Sequence, residues 1–225
     1  MTSNTPKPVV IFGRSEFASL VWHVLTHDTP LVVAGFTVDA AYLNDRRHHD
    51  LPVVAFENVQ ESFPPAAFQM LVPLGGRGAN GLRRDRYLQA KAKGYDFVTY
   101  ISSRALVAPG AQVGENCMIF EGAAVQSMAS IGANCIVRTL ANVSHHVRVG
   151  DHGFIAASAV VGGGATIGDR CFLGLGSVIR DGVKVADRCL IGAGAVVTRD
   201  TEPDGVYMGV PAKRGARLSG DLENV

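Results

Sequence analysis

The sequence predicts two folds in tandem: a small parallel α/β domain over residues 1–100 and a parallel β-helix of hexapeptide repeats over residues 101–225. Three observations lead there. From Ile101 to Val197 every sixth residue is Ile, Val or Leu, seventeen positions without a slip. Four places after these positions the residue is mostly small, as at Ala105, Cys117, Ala123, Cys135 and Ser177. Glycine is uneven, with seven in residues 1–100 and nineteen beyond, a shift that sets the boundary near residue 100.

In the first hundred residues strands alternate with helices, the signature of a parallel sheet. VVIFGRSEFASLVWHVL reads as a strand from Val9 to Phe12, a glycine turn, and a helix capped near Ser15. LVVAGFTVD is a second strand ending at Asp39, and LPVVAFENV holds a third. FQMLVPLGGRGANGLRRDRYLQAKAKG supplies a strand, a glycine-rich turn and a helix ending near Gly94, after which DFVTYI leads into the repeat. The alternation is Rossmann-like, but Gly13-Arg14-Ser15 lacks the GxGxxG fingerprint. GGRGANGL has Leu82 where a Walker A loop needs lysine, which argues against ATP hydrolysis. Both turns join a strand end to a helix start, where such sheets bind ligands; for each taken separately, a ligand site and a turn without a ligand stay equally open. RRHHD, residues 46–50, reads as a solvated loop, and Trp22 as a core residue of the first helix.

A period of six is neither an amphipathic helix nor an alternating strand. It fits a coil in which each hexad makes one short strand and one corner, three hexads completing a turn. The aliphatic residue fills the interior, the small residue fits beside it, and glycine permits the tight corner, as at Gly114, Gly132, Gly150, Gly168 and Gly192. Cys117, Cys135, Cys171 and Cys189 share one hexad position and are separated by multiples of 18. They read as small buried thiols on one face of a prism rather than as zinc ligands or disulfides.

A net charge of +1 gives no electrostatic reason to expect nucleic acid or an anionic membrane as partner. No apolar run approaches the roughly 18 residues that span a bilayer, and the start MTSNTPKPVVIF lacks the features of a signal peptide. A cytoplasmic protein is expected.

The hexads, the segments VVIFG, GFTVD and LGGRGANGLRR, and the terminal GVPAKR together resemble the hexapeptide-repeat acyltransferases. More narrowly, they resemble bacterial sugar acyltransferases that join a small nucleotide-binding domain to a left-handed β-helix. This branch includes UDP-amino-sugar N-acetyltransferases and sialic-acid O-acetyltransferase-like proteins. The resemblance covers nearly the whole chain. It implies a left-handed coil, a homotrimer with sites in clefts between subunits, acetyl-CoA as co-substrate, a nucleotide-sugar acceptor and no metal.

By the same resemblance His145, at a corner of the helix, is the general base, and the Gly163 N–H bonds the thioester carbonyl. The repeat supports the pair independently, because Gly163 follows His145 by 18 residues and stacks one coil away. Phe154, Leu175 and Ala193 correspond to coenzyme contacts, and Lys213 of GVPAKR to a contact with the adenine-nucleotide end. Gly13, Ser15, Asp39, Asn80 and Arg83 correspond to nucleotide-sugar contacts, Arg83 as a phosphate partner. The sequence departs from relatives at His146, where an acidic residue often follows the catalytic histidine, so the choice between His145 and His146 stays open. Three histidines in VSHHVRVGDH could suggest zinc, but they occupy different corner positions with no thiolate or carboxylate set beside them. The expected activity is transfer of an acetyl group from acetyl-CoA to the amine of a nucleotide-linked amino-sugar. O-acetylation of a sugar hydroxyl, sialic acid included, is the enzymatic alternative, and a noncatalytic β-helix assembly protein the alternative of another class.

Overall fold

The computed structural model describes residues 6–76 and 78–221; Arg77 of the second glycine turn and both chain ends lie outside the described residues. The chain divides into two compact units, Met1–Leu74 with Asp85–Val98, and Gly75–Arg84 with Thr99–Val225.

In the first unit, β1 (Val9–Phe12), β2 (Val33–Val38), β4 (Leu51–Ala55), β5 (Gln69–Leu71) and β6 (Asp96–Phe97) run parallel, and β3 (Arg47–His48) pairs antiparallel with β4. The order is β3-β4-β2-β1-β5-β6. Strand β1 is central and buried throughout, as its uninterrupted apolar run requires. Helix α1 (Glu16–Asp28) begins where Ser15 caps it, the Ser15 hydroxyl accepting from Ala18 N–H at 3.3 Å. Helix α2 (Val59–Ser62) is a single turn, and α3 (Gly81–Ala92) follows the second glycine turn. Phe12, Phe56, Val59, Phe63, Met70 and Tyr95 form the core between sheet and helices.

RRHHD is largely exposed, as a solvated segment is, but it forms a hairpin rather than a loop. Arg47 and His48 form a strand, and His49 and Asp50 turn with φ of 49° and 59°. The His49 ring stacks flat on Trp22, centroids 3.9 Å apart, while His48 Nε2 bonds the Ser19 hydroxyl at 2.9 Å. Trp22 is therefore a partly exposed docking surface for the hairpin and not a core residue. Periodicity missed this because two residues carry no readable period.

The second unit is a parallel prism. Its seventeen two-residue strands run from Tyr100–Ile101 to Val196–Val197. Each of the first fourteen pairs in parallel with the strand 18 residues on, as in Ile119↔Val137 and Val137↔Ile155, producing three stacked faces. The arrangement fits a left-handed β-helix. Interior aliphatic residues such as Val125, Val143, Val161 and Ile179 are buried, and all four cysteines are free and buried among them. Gly205–Met208 extends one face, with Lys213–Leu218 antiparallel to it.

The corners correct one expectation. Glycines directly after the aliphatic position are not there for left-handed backbone. They allow adjacent coils to approach: a Cβ on Gly114 would lie 2.8 Å from Ala133 N and Gly132 C. Left-handed backbone falls two residues later and is mostly carried by other residues, among them Asn116, Asn134, His152, Arg170 and Arg188, with φ between 54° and 62°. Asparagine and histidine tolerate that region better than most side chains.

Candidate active site

His145 and Gly163 meet as the 18-residue register requires. A Cβ on Gly163 would sit 2.5 Å from His145 Cε1, 2.8 Å from Nε2 and 3.2 Å from Nδ1. The imidazole thus lies over the glycine, in space that any side chain would occupy. Backbone bonds fix the ledge beneath it: Gly164 N–H donates to the His145 carbonyl at 3.0 Å, and His145 N–H to Gln126 Oε1 at 3.1 Å. The ring remains exposed. Its Nδ1 is 3.2 Å from Nδ1 of His146, and the two rings are nearly perpendicular at 84°.

The Gly163 N–H is already engaged. It donates to Asp181 Oδ1 at 2.8 Å, so a thioester carbonyl takes that N–H only by displacing a carboxylate. Asp181 was not singled out in the sequence, although it stands 18 residues beyond Gly163 in the same corner column. The same device recurs at another corner, where Asp151, Asp169 and Asp187 each accept from the N–H one coil earlier, at 2.7–3.0 Å. The 18-residue recurrence of aspartate was the readable signal.

The residues expected to contact the coenzyme do not gather around His145 of the same chain. Leu175 and Ala193 stack at a different corner, Gly194 N–H donating to the Leu175 carbonyl at 2.8 Å, and both are exposed. Phe154 lies on another face, stacked on Phe172 at 4.9 Å. Lys213 does share the edge of His145. It lines a cavity of 430 Å³ with Thr198, Arg199, Asp200, Tyr207 and Pro211. Arg199 continues the His145–Gly163–Asp181 series, three coils from His145, or about 14 Å at ordinary strand spacing.

In the first unit Gly13, Ser15 and Asp39 come together at the carboxyl ends of β1 and β2. Gly13 takes φ of 106° and donates to the Thr37 carbonyl at 2.7 Å. Asp39 pairs with Arg86 at 2.8 Å, each side chain about one-fifth exposed. Both line a cavity of 620 Å³ with Tyr42, Phe56, Glu57 and Lys93. Arg86 was missed because a helix arginine has no local signature, and so was Arg14, whose Nη1 is buried without a hydrogen-bond partner.

Asn80 and Arg83 fall in the second unit, and the expected phosphate contact from Arg83 gives way to a structural one. Arg83 is fully buried; its guanidinium donates to the carbonyls of Asn134 (3.2 Å), His152 (2.7 Å) and Gly153 (2.9 Å) and to Asn80 Oδ1 (3.0 Å). Asn80 in turn donates to the carbonyls of Arg170 and Cys171 at 3.1 and 3.0 Å. These bonds fasten the glycine turn to the prism. Burial pulls the Arg83 pKa down to about 10, which leaves it charged at neutral pH. Among the described residues, no group of three His, Cys, Asp or Glu is arranged to hold a metal ion, and no helix is long and apolar enough to cross a membrane.

A family model described as the hexapeptide repeat of succinyl-transferase matches residues 164–199. Among solved structures, an asparagine-for-histidine variant of perosamine N-acetyltransferase from Caulobacter crescentus, in complex with CoA and GDP-perosamine, is 28% identical with a TM-score of 0.85. The match covers 94% of this chain and 98% of that one. The chain shares its architecture with hexapeptide-repeat sugar acyltransferases. PerB from Caulobacter crescentus, also solved with CoA and GDP-perosamine, matches this acyltransferase at 28% identity over 94% of this chain and 99% of that one, TM-score 0.84. The acetyltransferase domain of PglB from Neisseria gonorrhoeae FA1090, in complex with acetyl coenzyme A, shares the fold at 24% identity, TM-score 0.80, over 93% and 100% of the two chains. No curated protein sequence matches the acyltransferase.

Proposed function

We propose that the chain is an acetyl-CoA-dependent N-acetyltransferase acting on the amine of a nucleotide-linked amino-sugar, assembled as a homotrimer. The observation that carries this reading is the His145 ring lying over side-chain-free Gly163 on an exposed corner. Supporting it, the 28%-identical relative that matches from end to end was solved with CoA and a GDP-linked sugar. Acetyl-CoA would run along the His145 edge toward the Lys213 cavity. Leu175 and Ala193, at another corner, would come from an adjacent copy, as would Phe154. Exposed Leu106, Met128, Leu140 and Leu175 provide apolar surface for such contacts. The Rossmann-like first unit would hold the nucleotide at Gly13, Ser15 and Asp39.

The acceptor nitrogen attacks the thioester carbon, and the carbonyl π pair moves to oxygen. His145 Nε2 takes the proton from the nitrogen. When the tetrahedral species collapses the C–S bond breaks, and the same proton passes to the coenzyme sulfur. Such a base contributes about 10²–10⁴-fold. No acyl-enzyme forms, which agrees with four cysteines buried in the prism.

The test is release of the coenzyme thiol from acetyl-CoA over GDP-, UDP- and dTDP-amino-sugars and free sialic acid, in wild type and His145→Ala. Turnover with a nucleotide-amino-sugar that His145→Ala removes is expected. Turnover restricted to a hydroxyl acceptor would replace this reading with an O-acetyltransferase, and no acetyl-CoA binding would leave a noncatalytic assembly protein.

A further inference from the structure

The residue after His145 is a second histidine, and the structure shows what its ring faces. His146 sits at φ 59°, which turns its ring back to the preceding residue, so that its Nδ1 reaches to 3.2 Å from Nδ1 of His145. Two facing imidazole nitrogens make a hydrogen bond only if one carries a proton and the other a lone pair. We propose that His146 is a positioning residue: its unprotonated Nδ1 accepts from His145 Nδ1–H and so holds the lone pair of His145 on Nε2. This rests on the base role given to His145 above.

The reverse arrangement fails chemically. Were His146 Nδ1 the donor, His145 would carry its proton on Nε2 and have no lone pair there for the acceptor amine. The Gly163 side offers no alternative orienter, because the Asp181 carboxylate, two coils from His145, accepts from the Gly163 N–H. The His145 backbone N–H is held by Gln126, and its carbonyl by Gly164, so the ring pair rests on a fixed corner. In the proton transfer His145 gains a proton on Nε2 and later returns it to sulfur, while the shared proton stays on His145 Nδ1. His146 undergoes no net change. A second imidazole supplies direction without a full negative charge, which suits an amine that already has a nucleophilic lone pair once neutral.

Nitrogen-15 spectra of histidine-labelled protein, recorded with the protein alone, test the tautomers without any turnover. Expected are an Nδ1–H tautomer for His145 and an Nε2–H tautomer for His146; an Nε2–H tautomer for His145 overturns the proposal. Two variants compatible with the left-handed backbone separate the hydrogen bond from mere structure. His146→Gly removes the acceptor, and kcat should fall by about 10–100-fold, a part of the roughly 10²–10⁴-fold that a positioned base contributes, with the KM for acetyl-CoA unchanged. His146→Asn can place its Oδ1 near the position of the lost nitrogen and should recover most of that loss. His146→Gly at wild-type kcat, or activity that survives His145→Ala but dies with His146→Gly, overturns the proposal. Wild-type protein that shows the expected tautomers but no acyl transfer supports the pairing and defeats the catalytic reading alone.

Discussion

At the scale of single residues, Gly163 matters for the space it leaves. Gly163→Ala places a methyl 2.5 Å from His145 Cε1, so the ring must swing off the corner. Because the corner is exposed, stability should hardly change, while kcat should fall by about 10²-fold, within the range for losing a positioned base; steady-state kinetics beside a melting curve check this. His152 makes a second residue-scale prediction. Its Nδ1 faces the Asn134 amide Nδ2 at 2.8 Å, and Asn134 Oδ1 accepts from Asn116 at 2.7 Å, so the ladder needs a neutral ring. Burial lowers the pKa of His152, and burial with neighbouring His49 and Arg14 lowers that of His48, both from 6.5. The unfolded chain therefore binds these protons first as pH falls. Their stabilisation is fully present above about 6.5 and is lost as pH drops toward the folded values. Thermal melts from pH 8 to 5 should show the decline, and His152→Asn, which continues the asparagine ladder, should reduce it.

At the scale of elements, the segment Gly75–Arg84 behaves as a clip closed by Arg83. The planar fork of guanidinium donors serves carbonyls on two coils, which a lysine ammonium cannot match. Arg83→Met should lower stability by about 2–4 kcal/mol, from carbonyls left short of a donor at about 1–3 kcal/mol each. Gly153 would keep its bond from Ile136 N–H; denaturant titration checks the loss, and Arg83→Lys should restore little of it. These contacts explain what could be read from the sequence. The seventeen-position period made the prism strands legible, because interior packing repeats at every such position from Ile119 to Val197, while Ile101 in the first coil is exposed. The histidine hairpin and the clip were hidden, since each depends on partners far along the chain. Arg83 reaches Asn134 and His152, and His49 reaches Trp22.

At the scale of the molecule, the candidate site was legible as a corner but not as a complete site. One chain supplies His145, Gly163 and Lys213 along one edge, while Leu175 and Ala193 stand at another. If copies share the work, a chain inactivated by His145→Ala and one inactivated by Leu175→Glu should complement each other. Mixed trimers assembled from the two should show turnover that neither parent has, and light scattering should give a mass near three times 23.7 kDa. Unrestored activity would put the whole site on one chain.

The coil register has one more consequence. The separation between His145 and the Lys213 cavity is counted in whole coils, so it can change only in steps of about 4.8 Å. The prism is in that sense a ruler. Splicing out residues 165–182 would leave His145 over Gly163 and shorten the edge by one graduation, whereas removing a single hexad from between them would turn the glycine to another face. Reach along this edge is digital, and a family of such proteins could be graded by counting.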